Sequence, residues 1–320
     1  MIKAEIVAHS KTKQGHEVIS YVLDYPIIIH AEVMTHRMFS RNAASARAIP
    51  YLKYRDTIKE NLFIPKAWQK AHSGMQGTEY LSHEEQILCN DIWENAFEFA
   101  VDHADQLVLG QKATKQLANR LLHPFAYIRV LVTTGVDEGL KNFFELRNHP
   151  DAEIHIQELA QKMQQEYLIS TPTQLAPGGW HYPFKREVAK TFVDSLDTVG
   201  QVRYFMDNVD LPEFKETLIK IATGMAARTS YTLFPEERGL ETYVRIHDKM
   251  VSSVPFHASP FEHSLRAMTE GEYEMFMKSR IVYDTEIDGY AQKVEYGWCD
   301  NFRGLISYRY MLANNLPIIR

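Results

Sequence analysis

The sequence predicts an α+β chain, and three observations carry the prediction. Two alternating segments, Lys3–Ala8 and Glu17–Leu23, flank a Lys13-Gln14-Gly15 turn, the pattern of an N-terminal hairpin. A long helical periodicity runs from Ser82 to Leu109, opened by a Ser82/Glu85 capping box. Further helical stripes follow it, broken by one β-branched segment, Tyr127–Thr134.

In chain order, Pro26 opens an apolar segment, Ile27–Met34, read as a buried strand. From Thr35 to Arg47 the composition turns to Arg, Ser, Asn and Ala, with neither helical nor strand period. In the helix after Ser82, Ile87, Leu88, Ile92, Trp93, Phe97, Val101 and Ala104 follow helical spacing, and Gly110 suits the stop. Lys112–Leu122 reads as a shorter helix halted by Pro124, and Tyr127–Thr134 as a strand or a buried helix turn. Glu138–Leu146 and Asp151–Leu168 read as helices, the latter with Leu159, Met163 and Tyr167 on one stripe. Residues 170–186, rich in Pro and Gly, form a long loop and the best domain boundary. Helices resume at Leu211–Ala227 and Leu240–Met250, His257–His263 is a loop, and Phe302–Leu312 is a final strand or helix. Residues 1–185 are expected to form a main body, 186–209 a linker, and 210–320 a C-terminal part packed on the body.

Composition narrows the classes. At about 150 residues per domain, 320 residues suggest two domains or one large one. A hydrophobic share of 45% with 24% charged residues is that of a globular chain and excludes a disordered one. The net charge of -6 argues against a nucleic-acid polymer as partner, while leaving room for a basic pocket that holds a single phosphate. No apolar run approaches the length of a membrane span, so no membrane partner is expected. Two cysteines, Cys89 and Cys299, supply neither a disulfide framework nor a four-cysteine zinc site; a reduced, cytoplasmic setting is expected.

Three constellations carry chemistry. In Thr35–Arg47, the guanidinium forks of Arg37, Arg41 and Arg47 suit phosphate oxygens, and Ser40 and Ser45 add hydroxyls. An exposed basic loop is the competing interpretation. On a helix, Asn142 and Arg147 lie about 140° apart around the axis, and Arg147 also suits a helix C-terminus. His257-Ala258-Ser259-Pro260-Phe261-Glu262-His263 places two histidines around a Pro-stiffened loop. The spacing is not that of HExxH and no third ligand is near, so no metal is expected.

Together these segments resemble the flavin-dependent thymidylate synthase family. Its Arg-His-Arg, Ser, Asn-Glu, Ser, Arg-Tyr signature is matched at His36, Arg37, Ser40, Asn42, Ser45 and Arg47, and its later Asn and Leu-Arg at Asn142 and Leu146-Arg147. Thr35, Ala43 and Ala48 depart from the signature, and Glu32 and Glu153 stand where the family has Gln. Two further family segments, Ala227-Arg228-Thr229-Ser230-Tyr231 and the His257–His263 loop, follow the signature here, whereas they precede it in most members. The chain therefore resembles a circularly permuted member. A weaker echo at Asn301-Phe302-Arg303-Gly304 allows a partial duplication instead.

The resemblance implies helices packed on a mixed sheet, a homotetramer, and reductive methylation of dUMP to dTMP with FAD, NADPH and methylenetetrahydrofolate. By matched position it implies that His36, Arg37, Ser40, Asn42 and Asn142 serve FAD. Ser45, Arg47 and Arg120 would hold the nucleotide phosphate, with Arg120 coming from a neighbouring subunit. Arg147 would meet the pyrimidine, and His257 would stand beside the flavin. A carboxylate only accepts hydrogen bonds where an amide also donates, so Glu32 and Glu153 keep dCMP, or a hydroxymethyl product, open. Thr35, Ala43 and Ala48 keep a non-catalytic nucleotide-binding paralogue open.

Overall fold

The structure is a computed structural model that describes all residues except 74–76, 78, 210, 231–237, 285–288 and 319–320. The N-terminal hairpin is β1 (Lys3–Thr12) and β2 (Glu17–Pro26), closed where Gly15 takes φ +92°, a conformation that costs a glycine nothing. After α1 (His30–Met34) come β3 (Ser40–Ala43), α2 (Tyr51–Glu60), α3 (His83–Asp105) and α4 (Lys115–Ala118). The central strand β4 (Tyr127–Gly135) leads to α5 (Lys141–Arg147), α6 (Ile154–Ile169) and β5 (Thr173–Leu175). β5 runs parallel to β1 and the other pairings are antiparallel, giving a mixed five-stranded sheet ordered β3-β4-β2-β1-β5.

The second half begins with β6 (Trp180–His181), α7 (Lys185–Val193), α8 (Val199–Asp207), α9 (Pro212–Arg228) and α10 (Leu240–Val251). It continues through β7 (Leu265–Ala267), α11 (Glu270–Met275), the hairpin β8 (Met277–Asp284) and β9 (Gly289–Tyr296), and β10 (Trp298–Cys299). It ends with β11 (Phe302–Arg303), β12 (Leu305–Ser307) and α12 (Tyr308–Ala313). β12, β7 and β6 form a small three-stranded sheet.

Strand alternation decides which half packs where. Along β2, Ile19, Tyr21 and Leu23 face α5 and α6, packing with Phe143, Ile156, Leu159 and Met163. Val18 and Val22 face the other way, onto Leu265, Phe302, Leu305 and Ala226 of the second half. β2 is thus buried on both faces. Each large apolar side chain so removed from water contributes about 1.5–3 kcal/mol.

Three expectations change. Ile27–Met34 is helical rather than a strand: Ile27–Ile29 forms a 3-10 turn that runs into α1. Of the segment's residues only Ile29 and Val33 are buried, four positions apart, which is the helical period. Residues 186–209, expected as a linker, are mostly helical, and Val188, Phe192 and Phe205 pack with Leu218, Ile221 and Tyr243. The 170–186 loop contributes β5 and β6 to two sheets. β3 crosses the stretch read as aperiodic, and Tyr127–Thr134 is the strand β4. The final segment is both a strand and a helix.

The capping box of α3 is present, and Phe97, Val101 and Ala104 pack against Tyr54, Ile58 and Phe125. Its opposite stripe, Leu88, Ile92 and Phe99, is more than 60% exposed. No helix among the described residues is long and apolar enough to cross a membrane.

Candidate active site

Two helix ends make the centre of the site. α1 finishes beside Thr35 and His36, and α5 finishes at Arg147, where a cation suits the exposed carbonyls. Arg147 donates from Nε to His36 Nε2 (3.0 Å), from Nη1 to Glu32 Oε2 (3.1 Å) and from Nη2 to Thr35 Oγ1 (3.2 Å). Thr35 in turn donates to the Glu32 carbonyl (2.6 Å). Three of the five guanidinium N–H groups are so engaged. Among the described residues the remaining two, one on each terminal nitrogen, have no partner, leaving a fixed fork of two donors.

The electrostatics follow from this geometry. Because His36 Nε2 accepts from Arg147, its ring proton is assigned to Nδ1. Burial, then the charges of Arg147 and Arg41, hold His36 down to about 4, so it is neutral at physiological pH. Its ring packs against both Phe39 and Phe143, with centroids 5.7 and 4.8 Å away, and those two rings touch each other at 5.2 Å. Burial raises the Glu32 carboxyl above its ordinary value, Arg147 opposes this, and Glu153 adds to it.

Arg41 is half-buried beside the end of α1. Its Nη1 donates to the Met34 and His36 carbonyls, satisfying the end of α1. Arg37, Arg47 and Arg120 are exposed, and their guanidiniums have no partner among the described residues. Asn119 donates to the Ala46 and Ile49 carbonyls (2.7 and 3.2 Å), so the loop that carries Arg47 adjoins the segment that carries Arg120 in the same chain. Ser40 is buried on β3 opposite Thr133. Ser45 is half-buried, and its N–H donates to the Ser230 carbonyl (3.0 Å). Asn142 is exposed on α5, and His257 is exposed on its loop. Tyr231 lies outside the described residues.

Asn42 joins the 35–47 signature to the two later segments, 227–231 and 257–263. Its amide is buried and bonds to Ala226, Thr229, Ser230 and Ser259, residues about 190 to 220 positions away in sequence. Glu153 is committed to its own helix: one oxygen accepts from the His155 and Ile156 N–H groups, and the other meets His155 Nδ1. Of the two glutamates singled out from the sequence, only Glu32 bonds to Arg147.

A buried polar chain was not legible in the sequence. Ser10 Oγ meets His181 Nδ1, His181 Nε2 meets Ser20 Oγ, Ser20 meets Thr133 Oγ1, and Thr133 meets His263 Nδ1, all within 2.6–2.9 Å. It stitches β1, β2 and β4 to β6 and to the end of the 257–263 loop. The one available signal was Ser10, Ser20 and Thr133, hydroxyl residues at strand positions facing a core.

Cys299 is buried and its thiol is pushed up to about 12, which disfavours it as a nucleophile; Cys89 is half-buried on α3. Among the described residues no three His, Cys, Asp or Glu side chains gather as a metal-ligand set. A cavity of about 930 Å³ lies between β1, β2, α7, α9 and α10, bordered by Val22, Phe184, Arg129 and Tyr243; Arg228 and Thr229 of the 227–231 segment line it, whereas none of the residues given a role from the sequence does.

Residues 6–173 match the family described as thymidylate synthase complementing protein, Thy1. The chain belongs to that family. Among solved structures it is similar to the UMP/dUMP methylase PolB from Streptomyces cacaoi bound with 5-Br UMP. The identity is 17% and the TM-score 0.43, over 52% of this chain and 88% of the other. The same methylase bound with 5-Br dUMP matches at 17% identity and TM-score 0.43, over 52% of this chain and 90% of the other. No curated protein sequence matches the chain.

Proposed function

We propose that the chain is an FAD-dependent thymidylate synthase that reductively methylates dUMP to dTMP, using methylenetetrahydrofolate and NADPH. The observation that carries this reading is the Arg147 fork, held by Glu32, Thr35 and His36 inside a segment that matches the family. A preorganised cation with two N–H groups to offer stabilises negative charge developing on a pyrimidine without reorganising first.

The donor set also fits the anions involved. Arg37, Arg47 and Arg120 are exposed guanidiniums without partners among the described residues, and with Ser45 they suit a nucleotide phosphate or a dinucleotide pyrophosphate. In this reading Ser45, Arg47 and Arg120 hold the nucleotide phosphate. Arg37, His36 and Asn142 hold FAD, Ser40 and Asn42 shape their strand, and His257 lines the entry of the second reactant. When bound, the flavin supplies the electron-transfer chemistry of the reduction. The protein binds, orients and supplies fixed charge.

The permuted motif order belongs to the same proposal. The convergence of residues 226–230 and 259 on Asn42 supports it, because both late segments reach the early signature. The bare stripe Leu88, Ile92 and Phe99 supports an oligomer, taken as a homotetramer. A reduced, cytoplasmic setting, no nucleic-acid polymer and no membrane complete the proposal.

A second reading rests on Glu32. Its carboxylate only accepts, which favours a base that presents an amino group, as dCMP does, with a methyl or hydroxymethyl product. Purified protein tests both readings. Visible flavin absorbance and NADPH-dependent turnover of dUMP support the first, and turnover of dCMP instead supports the second. A colourless protein that takes up no FAD and turns over neither nucleotide overturns both.

A further inference from the structure

We propose that Asn42 is the positioning residue that locks the two C-terminal segments, 226–230 and 257–263, onto the nucleotide motif, so that the site works only as one assembled unit. This rests on the function proposed above for the site, but the observation is separate from the Arg147 fork.

The side chain of Asn42 has two donors and two acceptor positions, and the fold uses all four. Nδ2 donates to the carbonyl of Ala226 (2.5 Å) and to Thr229 Oγ1 (2.9 Å). Oδ1 accepts from Ser230 Oγ (3.0 Å) and from Ser259 Oγ (3.3 Å). Asn42 is 5% exposed and Thr229 7%, so bonds lost at this end leave poorly solvated polar groups behind, while Ser259 is exposed and Ser230 half-buried. No capacity is left over for a ligand, which makes the role mechanical.

The placement gives the mechanics a purpose. Asn42 stands on the short strand β3, between His36–Arg37 on one side and Ser45–Arg47 on the other. Ala226 and Thr229 mark the end of α9, while Ser259 opens the turn that seats Pro260 and Phe261 in the core, two residues after His257. The Ser45 N–H also donates to the Ser230 carbonyl. Asn42 therefore sets the distance between His257 and the nucleotide motif. Serine hydroxyls from two different segments meet on a single oxygen, so neither segment can shift without disturbing the other's partner.

The test is a set of variants, Asn42→Ala, Asn42→Asp, Ser230→Ala and Ser259→Ala, read by kcat, KM and direct calorimetric binding of dUMP. With Asn42→Ala we expect kcat to fall at least tenfold while dUMP affinity stays within about threefold, since Ser45, Arg47 and Arg120 are untouched. Asn42→Asp keeps the acceptor and loses both donors, so it should rescue little. In the Asn42→Ala background, Ser230→Ala and Ser259→Ala should add nothing further, because their shared partner is gone. A thermal melt separates this from unfolding: a variant whose kcat and bound fraction fall together in proportion to folded protein overturns the proposal. Unchanged kcat overturns it too. If the wild type turns over no pyrimidine nucleotide, the functional reading fails, and amide hydrogen exchange still decides this one. Asn42→Ala must then raise exchange in 226–230 and 257–263 together, and a rise confined to one segment overturns the lock.

Discussion

Acidification from pH 7.5 to 5.0 should destabilise the folded chain by about 4 kcal/mol through two histidines alone. His181 and His263 are at most 1% exposed, and burial pushes both down to about 3 from 6.5. The sign follows directly. Below 6.5 the unfolded chain takes up a proton at each ring, while the folded chain takes up none until near 3. Stability is therefore whole above 6.5 and is lost as pH falls toward 3. Each ring contributes about 1.4 kcal/mol per pH unit inside that window, or about 2 kcal/mol between pH 7.5 and 5.0. His36, held to about 4, adds a loss of the same sign. Glu17, Glu153 and Glu272, whose pKa values are lowered, add theirs only below about 4.5, while Glu32 and Glu138, which are raised, oppose the trend just above it, where the folded chain protonates first. Against a typical stability of about 5–15 kcal/mol, a loss of 4 moves a urea midpoint visibly. The assay is urea unfolding at half-unit pH steps, with ring resonances of the two histidines followed by NMR. A flat profile between pH 7 and 5.5, or rings that titrate near 6.5, would refute the reasoning.

Three further outcomes are expected. Arg147→Ala should cut turnover by about 100-fold or more with FAD still bound, as expected for loss of a fixed charge at a reacting centre, checked by steady-state rates and flavin absorbance. Glu272→Gln should cost about 3–5 kcal/mol in urea unfolding, because Arg266, fully buried, loses the carboxylate that pairs with it at 2.7 and 3.2 Å. Cys299→Ala should keep most turnover, and iodoacetamide should leave Cys299 unlabelled in the native protein at neutral pH, since its thiol is pushed up to about 12; labelling read by mass spectrometry decides this.

Much of the fold was legible in local pattern. The β1–β2 hairpin, the Ser82 capping box and the Leu159–Met163 stripe were visible because the chemistry that fixes them lies within a few residues. The helical 27–34 segment was missed because three consecutive isoleucines hide its period, and only burial of Ile29 and Val33 shows it. The 186–209 helices were missed because the Pro- and Gly-rich stretch before them reads as punctuation. In the candidate site, the motif residues were singled out by spacing and resemblance, yet their partners were not. Nothing in sequence indicates that Thr35 accepts from Arg147, that Arg41 caps α1, or that Glu153 caps α6 while Glu32 turns to Arg147.

By itself the sequence determined which chemistry is available: an arginine-rich signature at 35–47, an Asn142/Arg147 helix, a Pro-stiffened histidine loop, and family membership over 6–173. Only the tertiary structure decided which of these meet. A hydrogen bond requires two groups within about 3 Å, and chain proximity supplies that only for near neighbours. Asn42 and Ser259 are brought together by the sheet and by the packing of the second half on its far face.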